Sequence, residues 1–169
     1  MTDTEFKTPQ TRYEFREGFK VVGLRKQFDA AERVEGIPAL WRAFGPQIPE
    51  VKNAIYDACY GAIGASNPDG EVDYLAGIAV TDFEGVDKDF DRMVIPDQHY
   101  LVVAHEGHVE AIGKTWEWVF TEFPKGKGLE IVEAFAMTPE FEIYDERYNA
   151  QTGEGIIEIW VPIKPILIP

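Results

Sequence analysis

The feature that most restricts the fold of this sequence is an order of structural elements that occurs twice along the chain. Each half contains extended residues, then an amphipathic helix, then two further extended segments, with turn residues between them. The predicted elements of the first half are strands 13–16 and 19–24, helix 37–44, and strands 58–63 and 73–80. Those of the second half are strand 100–105, helix 109–123, and strands 141–148 and 156–163.

Both predicted helices have one apolar face. In the first helix, Pro38 is placed in the first turn, where its missing N–H costs little, and Gly45-Pro46 ends the helix. Its apolar face consists of Ile37, Leu40, Trp41 and Phe44, which recur at the helical spacing. The corresponding face of the second helix consists of Ile112, Trp116, Val119, Phe120 and Phe123.

A few residues match between the two halves. The pair Ile37 and Trp41 has the same spacing as Ile112 and Trp116, and an aromatic residue lies in each strand that follows a helix. We therefore predict a single α+β domain over residues 1–169, with halves of about 12–82 and 95–165. Its duplicated strand-helix-strand-strand units form an antiparallel sheet that carries two helices on one face, with a central cleft between them.

The charge of the chain restricts the class of partner. Acidic side chains outnumber basic ones 30 to 16, which gives a formal net charge of −14. This balance argues against nucleic acid as a partner, because phosphate binding needs clustered Lys and Arg. It favours small cations, although a soluble acidic protein has the same composition.

Cysteine and histidine usage argues against a metal site. Cys59 is the only cysteine, so the chain has no internal disulfide and no thiolate cluster. His105 and His108 are three positions apart, and in a strand such residues point to opposite faces. No third ligand lies at a useful spacing, so no metal site is expected. The N-terminus lacks a signal-peptide pattern and no apolar run approaches ~20 residues, so we expect a cytoplasmic protein that does not enter membranes.

The predicted strand 141–148 carries the chemically most informative residue. Alternation along the strand places Glu142 and Tyr144 on the same side. A carboxylate that lies among aromatic rings inside a sheet either keeps a proton or attracts a cation. From the residues alone, the favoured alternative is an exposed position or an ion pair with Arg147 or Lys164.

A series of short motifs occurs in a fixed order between about residues 19 and 164. They are Gly23-Leu24, Ile37-Pro38-x-Leu40-Trp41-x-x-Phe44, Tyr60-Gly61, Asp73-Tyr74-x-x-Gly77, Ile95-Pro96-x-x-x-Tyr100, His105-x-Gly107, Thr115-Trp116, Phe141-Glu142-x-Tyr144 and Ile159-Trp160-x-Pro162-Ile163. Together they resemble the GyrI-like effector-binding domain. That domain occurs in AraC-type and MerR-type multidrug regulators, in DNA gyrase inhibitory protein, and as stand-alone proteins that include integron-associated ones. Asp97-Gln98 depart from the small residues of this pattern, which affects the turn after Ile95-Pro96.

The resemblance implies a fold, a ligand and a site. It implies a duplicated fold with a ligand cleft across its pseudo-two-fold axis, and it implies that Glu142 is the buried carboxylate that regulators use against cationic, hydrophobic drugs. We therefore expect a hydrophobic or cationic small molecule as the partner and no cofactor. Residues 1–18 are too short for a helix-turn-helix, so we expect no transcription factor. A homodimer is compatible with the sequence.

Five aromatic residues are candidate walls of the cleft around Glu142. They are Trp41, Tyr60, Trp116, Tyr144 and Trp160. For Trp41 and Trp116, which lie on the apolar helix faces, packing in the core is the alternative. Trp118 lies off the apolar face of its helix and is compatible with a pocket rim, a dimer contact or an exposed position.

Two functions of different classes follow, and we favour the first. The first is a stand-alone, non-catalytic module that binds hydrophobic, cationic ligands through Glu142. The second, which the resemblance implies, is a hydrolase that opens the cyclopropane rings of genotoxic natural products. In that case Glu142 is the base and Tyr60 or Tyr144 assists proton transfer. A protein-interaction module with its surface around Trp118 is a third alternative.

Overall fold

The computed structural model describes residues 6–66, 69–123, 129–131 and 138–165. Its strands are β1 (Gln10–Arg16), β2 (Phe19–Phe28), β3 (Ala54–Ser66), β4 (Val72–Val80), β5 (Asp91–Ile95), β6 (Gln98–His108), β7 (Leu129–Ile131), β8 (Glu140–Tyr144), β9 (Tyr148–Asn149) and β10 (Glu154–Pro165). Its α-helices are α1 (Arg33–Phe44) and α2 (Ile112–Thr121), and a short 3₁₀ turn adjoins each. In the described part of the chain, neither helix is long and apolar enough to cross a membrane.

The strands form an antiparallel sheet in the order β1-β6-β10-β8-β3-β4-β2-β5, and β7 and β9 pair with β10 outside this path. The order is symmetric about the pair β3–β8. The strand that follows α1 lies beside a strand that follows α2, and β4 and β10 flank this pair on either side. The predicted α+β class, with a large antiparallel sheet and two helices, is confirmed. The boundaries of the two halves stay a prediction.

The pairing of β3 with β8 fixes which residues share a face. Gly61 lies opposite Glu142, and Tyr60 lies opposite Ile143. Residues directly opposite each other in an antiparallel pair point to the same side, so Gly61 and Glu142 share one face while Tyr60 and Ile143 share the other. We call the first the helix face, because α1 and α2 pack on it, and the second the far face.

Each helix covers a different part of the helix face. α1 packs on apolar residues of β2, β3 and β4 through Ile37, Leu40, Trp41 and Phe44, as its apolar spacing predicts. α2 packs on β6 and β10. Trp116 of α2 packs against the apolar residues under α1 as well as those under α2, so it lies between the parts of the sheet that the two helices cover. We call this region of the helix face the groove.

The far face carries a second core, although no helix in the described residues covers it. Tyr100 and Phe141 are completely buried there. Phe19 of β2 contacts Phe141 of β8 with ring centroids 5.3 Å apart, although β4 and β3 lie between these strands. Neighbouring strands are ~4.8 Å apart, so this contact requires a sheet that is strongly curved around its far face.

Three details differ from the predicted elements. The strand that carries Glu142 ends at Tyr144, because Asp145 accepts a hydrogen bond from the backbone N–H of Arg147 and a turn follows. Pro38 lies inside α1, because the helix begins a full turn earlier than predicted. Residues 91–95, which lie between the predicted strands 73–80 and 100–105, form the edge strand β5, which pairs with β2.

Candidate functional site

Glu142 lies at the centre of the helix face, in the groove between α1 and α2. β8 holds it between β3 and β10, and its side chain is only 5% exposed. The residue opposite it on β3 is Gly61, and a Cβ there would lie 2.0 Å from the hydroxyl of Tyr74 and 2.7 Å from Oε1 of Glu142. A glycine is therefore required at this position, because the carboxylate and the Tyr74 hydroxyl occupy the space of a side chain.

Three neutral donors hold the carboxylate of Glu142. The hydroxyls of Tyr74 and Tyr144 donate to Oε1 at 2.9 and 2.8 Å, and the indole N–H of Trp116 donates to Oε2 at 2.9 Å. The donors come from β4, β8 and α2, so the fold brings together distant parts of the chain to satisfy one buried group. Such hydrogen bonds stabilise the ionised form of a carboxyl group.

In the described residues, no Lys or Arg pairs with Glu142. Arg147, one predicted partner, instead pairs with Asp145 at 2.7 Å and with Glu158 at 3.3 Å. Lys164, the other predicted partner, is exposed. The alternative in which Glu142 forms an ion pair or lies in solvent is therefore wrong.

The environment shifts several pKa values in the site. Burial raises the pKa of Glu142, whereas the hydrogen bonds from Trp116, Tyr144 and Tyr74 and the charge of His105 act in the opposite direction. Burial, and then the neighbouring Glu142, raise the pKa values of Tyr74 and Tyr144 well above their ordinary range, so both hydroxyls keep their protons and act as donors. The site can therefore accept either a proton or a positive charge.

The structure brings Trp41, Trp116 and Tyr144 together around Glu142. The indole N–H of Trp41 donates to the Tyr74 hydroxyl at 3.1 Å, and the Trp41 ring meets the Tyr144 ring edge-on at 5.4 Å. Tyr74 is the member of this network that the prediction lacks. Tyr74 belongs to the motif Asp73-Tyr74-x-x-Gly77, which could have marked it as a site residue. The sequence does not show the pairing of β3 with β4 that brings Tyr74 beside Gly61.

Tyr60 and Trp160 lie on the far face, so their prediction as walls of the same cleft is wrong. Tyr60 pairs with Ile143, and Trp160 pairs with Phe141, so both point away from Glu142. For the same reason Tyr60 cannot assist a reaction at Glu142. The two residues belong instead to the core of the far face.

On the far face, Tyr60 and Trp160 contact a side chain of the edge strand β1. The guanidinium carbon of Arg16 lies 4.0 Å from the centroid of the Phe19 ring, and 5.4, 5.5 and 5.4 Å from those of Tyr60, Phe141 and Trp160. Arg16 also donates to the Tyr60 hydroxyl at 2.9 Å. Aromatic faces attract a cation, so these rings bind Arg16 without an acidic partner in the described residues.

Two further predicted residues have structural contacts. Trp118 is half-buried and packs against Phe123, with ring centroids 5.5 Å apart. Nε2 of His105 lies 2.9 Å from the backbone carbonyl of His108, which can only accept, so Nε2 donates and Nδ1 faces the Thr115 hydroxyl at 2.8 Å. In the part of the chain that the structure describes, no group of three or more His, Cys, Asp or Glu could hold a metal ion.

A second carboxylate lies on the helix face beside Glu142. Glu140 precedes it by two positions on β8, lies opposite Ile63 and is 3% exposed. In the described residues its carboxylate has no hydrogen-bond or ion-pair partner. Burial, and then the charge of Glu142, raise the pKa of Glu140 to about 7.

Replacing Glu140 with glutamine is expected to stabilise the protein more at pH 8 than at pH 5. The folded-state pKa of about 7 exceeds the ordinary 4.5, so the folded protein retains a proton that the unfolded chain releases. The stability that this proton supplies is fully present at pH values below the ordinary pKa of 4.5. It is lost as the pH rises through the folded-state pKa of about 7. At ~1.4 kcal/mol per pKa unit the change is about 3 kcal/mol, and urea unfolding at both pH values measures it.

The comparison isolates Glu140, because the other titratable groups on this face are present in both proteins. They include Glu142 and Tyr144 of β8, Cys59 of β3, Tyr74 of β4 and His105 of β6. Glu146→Gln, which removes an exposed carboxylate from the same part of the chain, is the control. A stability difference that is independent of pH would show that Glu140 is not buried as described.

One curated protein is similar to this chain in sequence, and two solved structures share its fold. Transcriptional regulator BrlR of Pseudomonas aeruginosa is 26% identical over 149 residues, which cover 88% of this chain and 53% of the regulator, so the chain spans about half the length of that relative. The structure of SAV2435 bound to tetraphenylphosphonium has a TM-score of 0.71 and 17% identity, over 92% of this chain and 94% of that one. The integron cassette protein VCH_CASS2 of Vibrio cholerae has a TM-score of 0.66 and 18% identity, over 93% and 98% of the two chains.

The family model described as integron-associated effector binding protein matches residues 13–163. The match includes both helices and every residue of the network around Glu142. This chain belongs to the family of integron-associated effector binding proteins.

Proposed function

We propose that this protein binds hydrophobic organic cations in the groove between α1 and α2, and that Glu142 is the charge that recognises them. The observation that carries the proposal is the environment of Glu142. Its carboxylate is 5% exposed, is held by neutral donors and lacks a Lys or Arg partner in the described residues. A cation in the groove would interact with this charge where little water screens it.

The aromatic residues of the groove favour a hydrophobic organic cation over a hydrated inorganic ion. Trp41, Trp116 and Tyr144 are half-buried around the carboxylate, and each ring face that meets a desolvated cation adds ~0.5–2 kcal/mol. Burial of ligand surface adds ~25 cal/mol per Å² of apolar area. The structural neighbour SAV2435 was solved with tetraphenylphosphonium, a lipophilic monocation, which supports this class of ligand.

Tetraphenylphosphonium is therefore expected to bind in the micromolar range, and Glu142→Gln is expected to weaken this binding about tenfold to a hundredfold. The range corresponds to the loss of a buried interaction with a charged group, ~1.5–3 kcal/mol. Titration calorimetry measures it. Neutral triphenylphosphine oxide is the ligand control and is expected to bind both proteins equally, and Glu146→Gln is the protein control.

Equal affinity of tetraphenylphosphonium for the parent and for Glu142→Gln would contradict the role of the carboxylate. Binding of the neutral compound alone would show that the groove is an apolar site without charge recognition. Circular dichroism of each variant shows whether the fold is retained, so that a loss of binding can be assigned to the site.

The geometry favours binding over hydrolysis at Glu142. A carboxylate has about four acceptor positions, and the three donors occupy most of them, which leaves little room for an attacking water. Of the two predicted assisting tyrosines, only Tyr144 contacts Glu142. Incubation with a cyclopropane-containing alkylating agent, followed by mass spectrometry, tests this preference. Repeated turnover to a ring-opened product would reverse it.

A further inference from the structure

The groove between α1 and α2 contains two buried acids, of which the proposed function uses one. Glu140 and Glu142 alternate along β8, so both point to the helix face. Their Cα atoms are ~6.7 Å apart, because a strand rises 3.3–3.4 Å per residue. Three donors satisfy Glu142, whereas Glu140 has no partner in the described residues and is 3% exposed.

An unpartnered carboxylate in an apolar setting is costly, and a second negative charge nearby increases the cost. Ile63 lies opposite Glu140, and the described residues supply no cation to this part of the sheet. A ligand with a single positive charge at Glu142 leaves Glu140 without a partner. A second positive charge on the same ligand would meet Glu140 and remove the repulsion between the two acids.

We propose that the groove prefers organic dications, with Glu142 and Glu140 each taking one of the two positive charges. This inference rests on the proposed function and narrows its class of ligand to flat or elongated molecules whose charges are separated by about the spacing of the two acids. A divalent metal ion fits the site poorly, because two of the groups at Glu142 are Tyr74 and Trp116, which donate rather than coordinate. Hard cations need six or more oxygen ligands.

A matched pair of aromatic cations tests the inference. Paraquat carries a positive charge on each of two linked pyridinium rings, and N-methyl-para-phenylpyridinium has nearly the same shape with only one charge. The parent protein is expected to bind paraquat about tenfold more tightly than the monocation, since one additional interaction with a charged group is worth that ratio. Titration calorimetry measures both affinities.

Glu140→Gln is expected to remove the preference for paraquat and to change monocation binding much less. Glu142→Gln is expected to weaken the binding of both paraquat and the monocation. Glu146→Gln changes the net charge of the protein by the same amount at an exposed position and is expected to keep the preference.

The outcomes separate this inference from the proposed function. If the parent does not prefer paraquat, or if the preference persists in Glu140→Gln, the inference is overturned, while Glu142-dependent binding of the monocation leaves the proposed function intact. If the monocation binds without dependence on Glu142, the proposed function fails, and the inference fails with it.

Discussion

Replacing Gly61 with alanine is expected to destabilise the protein by about 3 kcal/mol and to weaken ligand binding at least tenfold. The new Cβ would lie 2.0 Å from the hydroxyl of Tyr74, whose ring is 2% exposed and cannot move aside freely. Displacement of Tyr74 breaks its hydrogen bonds with Glu142 and Trp41. Overpacking costs ~1–3 kcal/mol, and a lost hydrogen bond to a buried charge costs a similar amount.

Urea unfolding and titration with tetraphenylphosphonium measure the two effects of Gly61→Ala. The matched control is Gly113→Ala, an exposed position in α2 where a Cβ meets no atom within 4 Å. This control is expected to keep ligand binding. Its free energy of unfolding is expected to rise by ~0.5–1 kcal/mol, because alanine favours a helix more than glycine does. If Gly61→Ala behaves like the control, the close approach of Tyr74 and Glu142 to β3 is wrong.

Phe141→Ala is expected to lower the free energy of unfolding by about 4 kcal/mol, within the ~3–5 kcal/mol range for a buried phenylalanine. Phe141 is completely buried on the far face. Its ring contacts four others, with centroids 5.3–5.9 Å apart, namely those of Phe19, Tyr60, Tyr100 and Trp160. Denaturant unfolding gives the free energy.

Phe15→Ala provides the comparison for this loss, because it removes the same side chain from β1 at a position that is 54% exposed. A loss below about 1 kcal/mol is expected there, as for most surface substitutions. A similarly small loss for Phe141→Ala would show that the curved sheet does not enclose its far face as described.

The sequence predicted the parts of this fold that depend on local periodicity. The apolar residues of α1 recur at the helical spacing, and Trp41 and Phe44 pack on the sheet as that spacing indicates. Alternation along β8 placed Glu142 and Tyr144 on one face, and both lie there. The same alternation would have placed Glu140 beside them, had the predicted strand begun one residue earlier.

The parts that could not be predicted depend on pairing between distant strands. Tyr60 and Trp160 are apolar aromatic residues on strands, and their own segments do not show which face of the sheet they point to. That face follows from the register, which sequence periodicity fixes only within one strand. Tyr74 was missed for the same reason, since its contact with Glu142 joins residues 68 positions apart.

Arg16, which lies among four aromatic rings, makes one contact of the edge strand β1 insensitive to salt concentration. Exposed ion pairs such as Arg12 with Glu14 weaken as ionic strength rises, because mobile ions screen charges over ~8 Å at physiological concentration. The attraction between Arg16 and the enclosing rings acts at short range in a partly buried setting, so it is screened much less. The contact of β1 with the far face through Arg16 therefore persists at high salt concentration, at which the exposed pair of Arg12 and Glu14 within β1 loses most of its strength.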